Sequence, residues 1–101
     1  MNLQGALGKI LLSDHLLESC IADAVLANQQ VPFLDKAVQI QREEGEETVV
    51  NIYIYVNYRT SIPALAFDLQ SQVQKRIRQM TGEKVSQVNV HVLGVAMGEE
   101  E

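Results

Sequence analysis

Between Val49 and Val95 the polarity pattern of the chain changes period twice, from alternation to steps of three and four and back to alternation. Thr48 to Tyr58 sets Val50, Ile52, Ile54 and Val56 on one side and Asn51, Tyr53, Tyr55 and Asn57 on the other, the period of two that a half-buried strand requires. Ser61 or Thr60 then offers a helix cap, Pro63 sits in the first turn where a missing amide hydrogen costs little, and Gly82 supplies the stop. Between them Ile62, Leu65, Leu69, Val73, Ile77 and Met80 form one apolar stripe, which needs a sheet to cover it. Val85 to Val95 provides the next strand, with Val88, Val90 and Val92 inward and Asn89, His91 and Leu93 outward.

The first half of the chain adds a similar unit. Met1 to Gly8 reads as a loose lead-in and Lys9 to Leu12 as a short strand. Ser13 and Asp14 are good cap residues, and Leu17, Cys20, Ile21, Ala24 and Val25 recur at helical spacing up to about Asn28. Val31-Pro32 should end that helix, because proline disfavours helical geometry in the residue before it. Lys36 to Arg42 alternates as a strand, with Val38 and Ile40 on one face and Gln39 and Gln41 on the other. The run Glu43-Glu44-Gly45-Glu46-Glu47 is then a solvated hairpin turn.

The order β-α-β-β-α-β predicts a single α+β domain over residues 1–101, a two-layer sandwich with two helices on one face of a mostly antiparallel sheet of about four strands. Residues 1–8 and 97–101 are expected to be flexible ends. The uncovered face would carry Gln39, Gln41, Asn51, Tyr53, Tyr55, Asn57, Asn89 and His91, polar yet almost uncharged. Amides and tyrosines lose less on desolvation than charges, so Asn51, Tyr53, Tyr55, Asn57, Asn89 and His91 are the candidate protein-interaction face. The plainer reading is a solvated sheet face with ordinary cross-strand pairs.

Composition narrows the function classes. Eight Lys and Arg against thirteen Asp and Glu leave a net charge of −5, which repels a phosphate backbone except at a local basic patch. Cys20 is the single cysteine, so no intramolecular disulfide forms and a reducing cytoplasm fits best. No window approaches the ~18 apolar residues that span a bilayer, and the N-terminus lacks the pattern of an export signal.

No group of side chains is arranged for covalent chemistry. Cys20 has only His15 and His91 as possible imidazole partners, and a five-residue separation on a helix turns His15 about 140° away from it. Asp14, His15 and Glu18 could share a helix surface as metal ligands, but acidic residues in a first turn are accounted for by the helix dipole. Gly5 and Gly8 match the bare G-x-x-G spacing of a nucleic-acid clamp, without its two flanking helices or a basic residue between them. Lys75, Arg76 and Arg78, with Lys84 beyond, form a basic cluster late in the second helix. They either complement the dipole or make a candidate anion or anionic-lipid contact. Neither a cofactor nor a small-molecule substrate is expected.

The segment Val56-Asn57-Tyr58-Arg59-Thr60-Ser61-Ile62-Pro63, the stop Met80-Thr81-Gly82 and the strand Val85-Ser86-Gln87-Val88-Asn89-Val90-His91-Val92-Leu93-Gly94-Val95 resemble the alkaline-shock-protein family of bacterial envelope stress response proteins. Gly8-Lys9-Ile10 and the helix after it are similar to the family opening, whereas Gln29-Gln30-Val31-Pro32-Phe33 is a more compact connection than the family pattern. These motifs are helix starts, helix stops and a buried strand, and they name no catalytic residue. The resemblance implies a non-enzymatic protein of Gram-positive-type bacteria, abundant under envelope stress. It also implies self-association and gathering at the cytoplasmic side of the membrane through a membrane-anchored partner. The rival expectation is a small nucleic-acid-binding module on a KH-like or ferredoxin-like scaffold that uses Lys75, Arg76, Arg78 and His91.

Overall fold

The computed structural model describes residues 13–42 and 47–96. The expected strand at Lys9–Leu12, the Gly5 and Gly8 pair, the tip of the acidic turn and the two end segments lie outside the described residues. Helix α1 spans Asp14–Leu26, followed by β1 (Phe33–Leu34), β2 (Gln39–Arg42), β3 (Thr48–Asn57), α2 (Ile62–Thr81) and β4 (Gln87–Ala96). Among the described residues this is the expected α+β arrangement of two helices and a four-stranded sheet.

Helix α1 starts at Ser13, whose hydroxyl oxygen accepts the Leu16 N–H at 3.1 Å, and it buries Leu17, Ile21 and Val25. It stops at Leu26, before Asn28 and well before Pro32. The Asn28 side-chain oxygen accepts the Gln30 N–H at 2.8 Å, so a local side-chain turn displaces the next helical hydrogen bond. Helix α2 has Ser61 as its cap residue, in extended geometry but with no side-chain cap hydrogen bond. Gly82 ends it at φ 79°, in the left-handed region, with its N–H on the Arg78 carbonyl at 2.8 Å. A Cβ there would meet nothing within 4 Å, so the demand for glycine is purely conformational.

Strand β3 is the centre of the sheet. β1 and β2 pair antiparallel with successive parts of it, Phe33 opposite Tyr55 and Gln39 opposite Asn51. β4 pairs parallel with it over its whole length, from Val49 opposite Gln87 to Asn57 opposite Ala96. Both β1 and β2 therefore occupy one edge of β3 and β4 the other. The parallel pair follows from connectivity, because α2 carries the chain back across the sheet before β4 begins. The expected strand Lys36–Arg42 is shorter, with pairing only over Gln39–Arg42, and Phe33–Leu34 forms a separate two-residue strand.

Val50, Ile52, Ile54 and Val56 of β3 pack with Leu17, Ile21 and Val25 of α1 and Leu65, Leu69, Val73 and Ile77 of α2 in one core, each no more than 1% exposed. Each such aliphatic side chain contributes about 1.5–3 kcal/mol of transfer free energy. Met80 is partly buried against this core, whereas Ile62, first in the predicted stripe, overhangs it at 40% exposure.

Three polar contacts close the end of the sandwich where α1 begins. The Arg42 guanidinium reaches Asp14 at 2.7 Å and Glu83 at 2.8 Å, joining the end of β2 to α1 and to the link before β4. Its hydrogen bond to Glu83 raises its pKa, against a smaller opposing effect of burial. Glu18 accepts the Ile40 N–H at 3.1 Å, a side-chain partner for an amide of an edge strand.

Candidate docking face of the sheet

Alternation along β3 sends Asn51, Tyr53, Tyr55 and Asn57 away from the helices, and the pairing register brings a neighbour to each. In the first row Asn89 lies opposite Asn51 on β4, with Gln39 opposite on β2. Gln87 Nε2 donates to Asn89 Oδ1 at 2.9 Å, and Asn89 Nδ2 donates to Asn51 Oδ1 at 3.0 Å. His91 Nε2 stands 3.2 Å from the same Asn51 oxygen. A carbonyl oxygen only accepts, so this contact is a hydrogen bond in the tautomer that carries the proton on Nε2. Asn51 is 9% exposed, buried on the face that no helix covers.

The second row is a stack. The Tyr53 and His91 rings lie 4.3 Å apart between centroids and 11° from parallel, and Lys36 Nζ sits 4.6 Å from the Tyr53 centroid. A cation over an aromatic face is attracted by the ring quadrupole, so Lys36 is held by the row even though it lies outside any strand. The Asp35 N–H bonds the Tyr53 carbonyl at 2.8 Å, so the oppositely charged Asp35 and Lys36 follow one another at the rim of this row. Between them these neighbours leave the face near neutral.

In the third row Phe33 stacks on Tyr55, with centroids 4.8 Å apart and planes 28° apart. Gly94 lies opposite Tyr55 on β4, after a register shift that leaves Leu93 out of the ladder. A Cβ on Gly94 would come within 2.9 Å of Tyr55 Cε2, so the absent side chain is what lets the ring lie against β4.

Five of the six candidate face residues thus form one connected surface: Asn51, Asn89 and His91 as a hydrogen-bonded group, Tyr53 on His91, and Tyr55 in the next row. Asn57 is on the same side, but its amide donates to the Gln29 carbonyl at 2.7 Å and pins the loop after α1. Four contributors were not anticipated: Phe33, Lys36, Gln87 and Gly94. The polar alternation of β4 covered Gln87 in principle, whereas Phe33 and Lys36 depend on a two-residue strand that carries no periodic signal.

Elsewhere the residues weighed for chemistry are otherwise occupied. Asp14 is paired with Arg42 and Glu18 with the Ile40 amide. Among the described residues no group of three or more His, Cys, Asp or Glu side chains gathers as a metal site would. Lys75, Arg76 and Arg78 are exposed on α2, on the helix side of the molecule, so the structure separates them from His91.

The arrangement is a small two-layer α+β fold in which no other described element covers one sheet face, which is lined with amides and rings. The chain belongs to the Asp23 family, described as having a cell envelope-related function, whose profile matches residues 12–97; its name coincides by accident with the residue at position 23. This is the alkaline-shock-protein family that the Ser61-Ile62-Pro63 and Val88-to-Val95 motifs resemble. The chain is 38% identical over 60 residues to the uncharacterized protein YloU of Bacillus subtilis (strain 168), covering 59% of this chain and 49% of YloU. It is 32% identical over 62 residues to the uncharacterized protein Spy1535 of Streptococcus pyogenes serotype M6, covering 61% of this chain and 48% of Spy1535. The matches thus span about half the length of these curated relatives. Among solved structures, a variant of MamM superposes with a TM-score of 0.55 at 12% identity, covering 83% of this chain and 99% of that chain. A copper form of a MamM CTD variant superposes with 0.54 at 12% identity, covering 81% and 98%. At that identity the likeness is one of fold alone.

Proposed function

We propose that this chain acts without catalysis, as an envelope stress response protein that works by protein association through the open face of its sheet. The observation that carries the reading is the near-neutral surface built by Asn51, Tyr53, Tyr55, Asn89 and His91 in a chain of net charge −5. Two copies that approached through their acidic parts would repel, whereas two copies that approach through this face meet amides and rings. Flat aromatic side chains supply contact area at low entropy cost, and the hydrogen-bonded amides are already fixed in place. The first occupant of the face is therefore a second copy of the chain.

The family's cell envelope-related description supports a role at the envelope. No described helix is long and apolar enough to cross a membrane. A membrane-anchored partner that captures the sheet face is one way for the chain to gather at the cytoplasmic side. Light scattering after size exclusion, over a wide range of protein concentration, tests the reading. The expected result is a defined oligomer or growing assemblies for the native chain, and loss of that mass for Tyr53→Glu with Tyr55→Glu. Unchanged self-association in the double variant sinks the sheet-face assignment.

A further inference from the structure

We propose that the outer surface of α2 around Lys75, Arg76 and Arg78 docks on an anionic phospholipid surface. The inference goes beyond association through the sheet and does not depend on it. From Gln70 to Gln79 the helix carries three cations and no carboxylate, in a chain whose net charge is −5. Charge of one sign has been concentrated on one surface against the sign of the whole.

Among the described residues, internal structure does not account for these cations. Both ion pairs among the described residues are made by Arg42. None of the three α2 cations donates a hydrogen bond within the described residues, while Arg42 makes three. The helix dipole favours cations in the last turn, and only Arg78 lies there. Lys75 and Arg76 stand further back, where that effect has faded.

Shape completes the argument. Lys75 is shared by two shallow hollows, one of about 380 Å³ bordered by Arg76, by the small Ala24 of α1 and by Ala27 just beyond that helix, the other of about 330 Å³ bordered by Arg78 and Ser71. The cations border open space of headgroup size, with Ala24, Ala27 and Ser71 and the uncharged Gln72, Gln74 and Gln79 around them. This surface belongs to the helix layer, on the opposite side of the sandwich from the Tyr53 stack. A molecule resting on a membrane through α2 would therefore turn its sheet face away from the lipid. The acidic positions elsewhere are screened within a Debye length of about 8 Å at physiological salt, so the local sign decides the contact.

Sedimentation of the full chain with phosphatidylcholine vesicles, and with equimolar phosphatidylcholine and phosphatidylglycerol vesicles, reads the proposal directly. Binding is expected only to the anionic vesicles, falling steeply with salt, and weakened roughly tenfold or more by Lys75→Gln with Arg76→Gln and Arg78→Gln. The charge-preserving set Lys75→Arg, Arg76→Lys and Arg78→Lys should keep it. Tyr53→Glu with Tyr55→Glu should also keep it, which separates this surface from the association face. Equal binding to neutral vesicles, or full binding by the glutamine variant, overturns the proposal. So does loss of binding in the Tyr53 and Tyr55 variant, which would place the contact in the assembly. Displacement by millimolar inorganic phosphate at matched ionic strength also overturns it, by revealing a site for the free anion.

Discussion

The two faces of β3 are built from neighbouring residues of one strand, yet they are closed in different ways. On the helix side Val50, Ile52, Ile54 and Val56 are at most 1% exposed, sealed by aliphatic side chains from both helices. On the other side Asn51 reaches 9% exposure with no described element above it, and among the described residues Asn89, His91 and their neighbours in the plane of the sheet cover it. The first closure uses depth and shape, which supply most of the stability of a fold this size. The second uses hydrogen bonds and ring stacking, which organise a surface while leaving it open to a partner.

Breaking each closure should give unequal losses. Ile52→Ala removes a fully buried side chain between the helices and should cost about 3 kcal/mol, within the 2–5 seen for such truncations. Urea unfolding would show a lower midpoint at unchanged slope, and a loss well under 1 kcal/mol would mean that the helix face does not carry the fold. Asn51→Ala leaves the Asn89 amide and the His91 ring nitrogen without their shared acceptor, and should cost about 1 kcal/mol in the same measurement. A cost equal to that of Ile52→Ala would erase the distinction between the faces.

Gly94→Ala is the sharpest of the three because stability barely enters. Alanine is better tolerated than glycine in a strand, and the Tyr55 ring can swing, so the net change should stay under about 1 kcal/mol of either sign. The added Cβ would nevertheless force the ring 2.9 Å away to move and open its stack on Phe33. Near-ultraviolet circular dichroism should change while the unfolding midpoint holds. An unaltered spectrum would show that the third row is not ordered by Gly94.

The helix side was legible because its signals are local and periodic. Leu65, Leu69, Val73 and Ile77 repeat at helical spacing, and Pro63 and Gly82 mark the ends of their helix. The open face was legible only along β3 and β4, where alternation assigns Asn51, Tyr53, Asn89 and His91 to one side. Phe33 escaped because two residues cannot show a period, and its strand exists through pairing with Ile54 and Tyr55 from far along the chain. Lys36 was assigned to a strand by alternation, but its place is fixed by the Tyr53 ring. Asn57 has the right side and a different task, because its amide meets the Gln29 carbonyl, a contact no spacing foretells. The end of α1 moved for a similar reason, since Asn28 uses its side chain on the backbone that would have continued the helix.

The parallel pairing of β3 with β4 also sets an order of assembly. β2 and β3 are antiparallel and separated only by positions 43–47, so that ladder closes a short loop and can zip on the timescale of hairpins, about 1–10 μs. The ladder between β3 and β4 closes across the whole of α2, and it must wait for the helix to bring the chain back. Strand β4 is thus expected to join last and to open first, with its amides exchanging with solvent sooner than those of β3. The Tyr53 and His91 stack spans that seam, so the proposed association surface is expected to form only once the ladder between β3 and β4 has closed.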